Sequence, residues 1–273
     1  MERDRKRKLW KITAAVSAGI LVILAAVLLI RKYMPTGQKM SGYDYFKTDS
    51  AAENDSTLVI LDNEILYDKG RYIDGRLYLQ QSFVQDNVNM RFYYDKESNA
   101  VLYSDWSAVY TYYPDVKGYR DQNGNTYDTE YEVIKTADGV IYINFEYMAA
   151  VSNISYEYAK EPQRLVLHTT HEEQNEVTIR KNTVVRYRAG IKSKVLEKVK
   201  KGTVCQYVGA VDDDWIEVIT PSGYQGYVKK NAASDVYTAV PEDTYTEEYQ
   251  SNLCGYKVNM TWFQVTQRAA NAY

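Results

Sequence analysis

Two histidines, two cysteines and one acid-rich loop hold the side chains best suited to chemistry in this 273-residue chain. His168 and His171 lie in "HTTHEE", where a strand passes into a linker, and the pair lacks the His-Glu-x-x-His form of a zinc helix. In "DQNGNTYDTEYE", Asp121, Asn123, Asn125, Tyr127, Thr129 and Glu132 fall at calcium-loop offsets. Gly124, however, stands at the fourth position where such a loop needs glycine at the sixth, and Asn-Gly between tyrosine-bearing strands reads as a hairpin turn. Cys205 and Cys254 have neither metal-ligand nor redox-motif spacing and read as two thiols, with a bridge between them left open. There is no Gly-rich phosphate loop, nucleophile elbow or Ser/His/Asp set. No catalytic residue, metal site or cofactor is therefore expected in these residues. Aromatic contact is the remaining chemistry: Tyr187, Trp215 and Tyr224 are the candidate ligand-binding residues, because a ring beside a groove can stack on a sugar or a peptide. Trp215, inside an alternating strand, reads first as core and second as a ligand platform, and Asp212–Asp214 read as a solvated turn.

The elements that would carry these residues are mostly strands. The chain is 45% hydrophobic and holds 28 Tyr, and aromatic and β-branched side chains suit a pleated, half-buried surface. The exception is the N-terminus, where Ile12–Ile30 runs 19 residues without a charge, about 28 Å as a helix and enough for a bilayer core. No small-x-small cleavage site follows it, which favours a retained single span over a cleaved signal. Residues 1–32 hold eight Lys/Arg against Glu2 and Asp4, a net +6, which leaves −9 on the rest of a chain whose total is −3. Six of the eight cations precede the span, so residues 1–11 are expected as a cytoplasmic tail and the chain beyond about residue 35 as extracytoplasmic. Its acidic body lacks the basic footprint of a nucleic-acid binder. Residues 31–56, polar and small, read as a juxtamembrane linker.

Residues 74–104 and 138–168 align without a gap at an offset of 64: Asp74-Gly75 on Asp138-Gly139, Tyr78 on Tyr142, Phe83-Val84 on Tyr147-Met148, Tyr94 on Tyr158, Val101-Leu102 on Leu165-Val166. Each copy predicts a glycine turn, a strand, a brief helix and two further strands, and the two together predict one α+β pseudo-repeat domain over 57–170. This pattern resembles the copper amine oxidase N-terminal-like domain of Gram-positive surface proteins. The resemblance implies a structural or binding module, and no copper ligands accompany it.

Residues 175–231 read as short strands broken by turns. Arg186–Gly190, Lys201-Gly202, Asp214-Trp215 and the closing "GYQGYV" of Gly223–Val228 resemble a bacterial SH3-like domain, with "GIKS" replacing the usual Gly-Pro near the first loop. The resemblance implies a small β-barrel that contacts peptidoglycan or a related N-acetyl-sugar polymer. A linker is expected over 232–256. Residues 257–273, "KVNMTWFQVTQRAANAY", resemble the first strand of glycoside hydrolase family 18 barrels in membrane-anchored proteins of Firmicutes. That resemblance implies a (β/α)₈ barrel cut near its start, without the "D-x-x-D-x-D-x-E" acid motif, so these residues alone are expected to hydrolyse nothing. A lone strand added to an upstream sheet edge is the alternative. The chain as a whole thus reads as the anchoring and wall-targeting part of a hydrolase, or as a non-enzymatic scaffold outside the membrane.

Overall fold

A computed structural model of the chain describes residues 2–48, 55–152, 154–169 and 173–239. Helix α1 (Glu2–Tyr33) contains the apolar run; its window Val16–Tyr33 has a mean hydropathy of 2.0, and none of that window is buried in the protein. Its length and composition suit a membrane span and a signal sequence alike. The short helix α2 (Gly42–Phe46) follows, capped by Ser41, whose Oγ accepts from the Tyr43 amide.

Strands β1 (Ser56–Leu61), β2 (Glu64–Ile73) and β3 (Arg76–Gln80) form a meander. Its two hairpins turn through Asp62-Asn63 and Asp74-Gly75, all four residues at positive φ, as two-residue hairpin loops require. After α3 (Gln81–Asn87), strands β4 (Phe92–Asp95), β5 (Ala100–Ser104), β6 (Val109–Tyr112), β7 (Tyr119–Asp121) and β8 (Thr126–Tyr127) make an antiparallel sheet in chain order. Strands β9 (Ile134–Ala137) and β10 (Val140–Asn144), helix α4 (Phe145–Ala150), and strands β11 (Ser155–Ala159) and β12 (Arg164–His168) follow. They return to the first meander as a seven-stranded sheet ordered β11-β12-β1-β2-β3-β10-β9.

The two repeats occupy equivalent places about a local two-fold axis. β3 and β10 pair antiparallel with Leu79 opposite Ile143, Tyr78 opposite Asn144 and Gln80 opposite Tyr142, so the axis passes through a pair that the 64-residue offset relates. Both Asp-Gly turns share one conformation, with φ of 51° and 77° at Asp74-Gly75 and 50° and 75° at Asp138-Gly139. Ion pairs cross the axis reciprocally: Arg71 with Asp138, and Lys135 with Asp74. Equivalent positions also fill the core, Val84 with Met148 and Val101 with Leu165, each fully buried. Symmetry breaks at the hairpins: β5 pairs with β6, whereas β12 pairs in parallel with β1.

Strands β1 and β12 are buried on both faces, which is why "TLVI" is a continuous apolar run around one threonine. Val59, Leu165 and Leu167 join the core of the repeat unit, while Leu58, Ile60 and Val166 point the other way into a second core. That second core belongs to another seven-stranded sheet, made of β13 (Gln174–Thr178), β14 (Thr183–Arg186), β15 (Val195–Val199), β16 (Val204–Ala210), β17 (Trp215–Ile219), β18 (Gln225–Lys229) and β19 (Tyr237–Ala239). Its order is β15-β14-β18-β17-β16-β13-β19, an open arrangement, and this corrects the expected closed barrel. At one edge, Lys39 bridges Val195 of β15 in parallel; at the other, β19 covers β13. Two expected linkers are corrected with it. Phe46, from the segment read as juxtamembrane linker, is fully buried in the second core, and residues 237–239, read as the next linker, complete the sheet. The segment 257–273, Cys254 and His171 lie outside the described residues.

Candidate functional site

Of the three aromatic candidates, only Tyr187 offers a ring to solvent. It follows the last residue of β14 and is 43% exposed. Trp215, at the start of β17, is 7% exposed with the Lys229 ammonium 5.3 Å from its ring centre, and the Asp212 carboxylate accepts from its amide. Ile216 and Val218 are the residues of β17 that enter the second core, so alternation puts Trp215 on the other face of the sheet, where it is buried outside that core. Tyr224 is 6% exposed because the chain's own α2 covers it: ring centres lie 5.1 Å away at Tyr45 and 4.9 Å away at Phe46. Neither Trp215 nor Tyr224 is open to a ligand, which corrects their expected role.

The segment that covers Tyr224 is held as a ligand would be. The Tyr45 hydroxyl donates to the Gln225 carbonyl at 2.9 Å and accepts from the Gln225 amide at 3.0 Å, a two-way contact with the edge of β18. The Tyr45 ring also meets Tyr187 edge-on at 6.4 Å. Upstream, Met40 donates to Val195 O and Val195 donates to Gln38 O, both at 2.8 Å. This is strand addition by a segment of the same chain. Gly42 shows how close the approach is, since a Cβ there would stand 2.1 Å from Glu161 O and 2.7 Å from the Tyr224 hydroxyl. The closing "GYQGYV" has similar reasons for its glycines. Gly223 has φ 83° and lies under Ile60; a Cβ on Gly226 would meet Arg186 O at 2.7 Å.

Two buried arginines fasten the pieces together. Arg164, on β12, donates to Ser222 O at 2.6 Å and to Lys160 O and Pro162 O at 3.1 Å, and packs against both the Phe46 and Tyr224 rings at 4.8 and 4.7 Å. Burial pulls its pKa down, and the neighbouring Tyr224 and Glu197 oppose that pull. Burial conversely raises the Tyr45 and Tyr224 hydroxyls, so both stay neutral donors. Arg186 donates to Thr36 O at 3.0 Å and Ser193 O at 2.7 Å, which ties the segment after α1 to the first loop of the sheet. In the sequence, Arg186 stands out only as the first residue of a family motif and Arg164 not at all; an Arg inside an otherwise apolar strand ("RLVL", "TVVR") was the available signal.

The other candidates resolve into local structure. Asp121 accepts from the Asn123 and Asn125 amides, both at 2.9 Å, and from the Asn125 side chain at 2.7 Å, which holds its carboxyl below the usual range and closes the β7–β8 hairpin. His168 Nδ1 stands 3.9 Å from Asp62, whose carboxylate accepts from the Thr169 amide and hydroxyl. Among the described residues no group of three or more His, Cys, Asp or Glu is placed to hold a metal. Cys205 is buried, and burial pushes its thiol up to about 12.

Comparison with known proteins agrees with the second sheet: residues 180–235 match the family model described as bacterial SH3 domain. No curated protein and no solved structure matches the chain. The copper amine oxidase-like and family 18 resemblances therefore rest on their own motifs, and the family model covers residues 180–235, which follow an apolar N-terminal helix.

Proposed function

We propose that this chain is a membrane-held module that presents a bacterial SH3 unit to cell-wall polymer, peptidoglycan or a related N-acetyl-sugar chain. The observation that carries the reading is the attachment. The unit matching the bacterial SH3 family shares its core with β1 and β12, and it binds the segment that leaves the apolar helix. A binding unit fixed this way moves with the membrane helix rather than on a tether. In this reading α1 spans the membrane with its basic N-terminus in the cytoplasm, and Tyr187 is the ring that meets the polymer. Co-sedimentation of the full chain with purified sacculi tests it. Retention that falls about tenfold in Tyr187→Ala supports the reading; no retention overturns it in favour of a protein-binding scaffold. The role as the targeting part of a family 18 hydrolase draws its support from the resemblance of residues 257–273 alone. Reading the gene past the codon for Tyr273 tests that role: an open frame encoding "D-x-x-D-x-D-x-E" upholds it, and an immediate stop overturns it.

A further inference from the structure

The first loop of the SH3-like sheet, residues 187–194, lies against the end of the apolar helix. The Lys192 ammonium donates to the Arg31 carbonyl and, at 2.6 Å, to the Met34 carbonyl, while the Thr36 amide donates to Ile191 O at 2.9 Å. These contacts place the loop beside the last turn of α1, where the apolar surface ends at the exposed Tyr33. Arg31 and Lys32 on the helix and Arg188, Lys192 and Lys194 on the loop are all exposed. Among the described residues, none of the five has an ion-pair partner. Neither stretch contains an acid: the nearest in sequence are Asp44 and Glu197. Five exposed cations, with no acid in either stretch, thus lie at the helix end of a body that carries −9. Bonding to two carbonyls leaves the charge of Lys192 intact, so the loop is fastened to the helix without being neutralised.

We propose that this face, Arg188, Lys192 and Lys194 together with Arg31 and Lys32, binds the headgroups of anionic phospholipids and seats the SH3-like unit on the bilayer surface. The proposal rests on the reading of α1 as a membrane span. If α1 spans the bilayer, Met34 lies at its surface, and a loop bonded to residues 31–36 lies within a Debye length of the headgroups. Each Lys or Arg at an anionic surface contributes roughly a fivefold factor in binding, so three loop cations suffice to hold a domain whose tether is already membrane-bound. The geometry favours lipid over wall phosphate because the helix delivers the loop to the membrane before any other ligand reaches it. The consequence for the SH3-like unit is a fixed orientation with residues 188–194 down, so that Tyr187, at the end of β14, meets polymer only where that polymer reaches the bilayer surface.

The test uses the full chain in nanodiscs, either of phosphatidylcholine alone or with about 30% phosphatidylglycerol, read by amide hydrogen exchange over residues 187–194. Exchange at least about fivefold slower in the anionic discs is expected, with the difference lost in about 0.5 M salt and in R188Q/K194Q, which leaves the Lys192 bonds in place. Equal exchange in the two discs overturns the proposal. So does equal protection by inorganic phosphate in phosphatidylcholine discs, which would assign the site to free phosphate. Flotation of the chain with liposomes after an alkaline wash separates the two failures. A chain that fails to float has no span and both readings fall, whereas a chain that floats but shows lipid-independent exchange loses only this one.

Discussion

Tyr187 keeps 43% of its surface exposed and Trp215 only 7%, and that difference sets what each substitution costs. Trp215→Ala removes a buried ring and its contact with the Lys229 ammonium and is expected to lower stability by about 2–3 kcal/mol. Tyr187→Ala removes the edge-on contact with Tyr45 and an exposed contact with the Arg188 guanidinium, and costs roughly 0.5 kcal/mol. Urea unfolding of both variants checks this, and only with Tyr187→Ala can a loss of polymer retention be assigned to binding. Arg164 is the other residue on which the architecture depends. Arg164→Met keeps most of the packing but leaves the carbonyls of Lys160, Pro162 and Ser222 without their donor, for a loss of about 3 kcal/mol. Arg164→Lys should recover little of it, since an ammonium lacks both the planar fork and the flat faces that Phe46 and Tyr224 cover. A midpoint for Arg164→Lys close to wild type in the same experiment would contradict this account.

At the scale of elements, the repeat makes a quantitative prediction. Gly75 and Gly139 occupy related turns at φ 77° and 75°, with nothing near enough to obstruct an added Cβ, so only backbone strain opposes alanine. Each substitution is expected to cost about 1–2 kcal/mol, and the two to agree within about 0.5 kcal/mol in urea unfolding. A large inequality would mean the two hairpins are not equivalent in energy. These turns were legible in the sequence because Asp-Gly between alternating strands is a local signal, and the repeat because a 64-residue offset preserves it. The role of residues 38–47 was not legible. Their burial depends on partners such as Gln225, 180 positions away from Tyr45, and a five-residue helix carries too little periodicity to announce a buried face. The edge contact of the open sheet was hidden for the same reason, as Lys39, which bridges β15, comes from before the repeat unit. Tyr224 was found by its motif but misassigned, because the sequence of β18 does not say which segment lies on it.

At the scale of the molecule, β1 and β12 join the two seven-stranded sheets through their two cores, and a chain so rich in buried phenols should fail in alkali. Tyr45, Tyr78, Tyr112, Tyr147 and Tyr224 all have hydroxyl pKa values raised chiefly by burial, and the Cys205 thiol is pushed from 9.0 up to about 12 by the same cause. Each group is neutral when protonated and is held in that form by the fold. Above the unfolded-state pKa the native protein therefore binds more protons than the unfolded chain, and stability falls as pH rises. The contribution is complete below about pH 9 and is lost from there through about pH 12 for Cys205, with the tyrosines adding a loss that begins near 10. At about pH 11, Cys205 alone should account for a loss of roughly 2–3 kcal/mol relative to neutral pH. Urea midpoints across this range should follow one transition, with far-ultraviolet dichroism and tyrosinate absorbance coincident, because the shared strands leave neither sheet able to unfold alone. Cys205→Ser in a Cys254→Ser background isolates the thiol. Its stability starts lower at neutral pH but declines less between about 9 and 11, by the amount the thiol contributes. A variant that declines in parallel with its parent would show that the thiol titrates alike in both states and that Cys205 is not sealed in the second core.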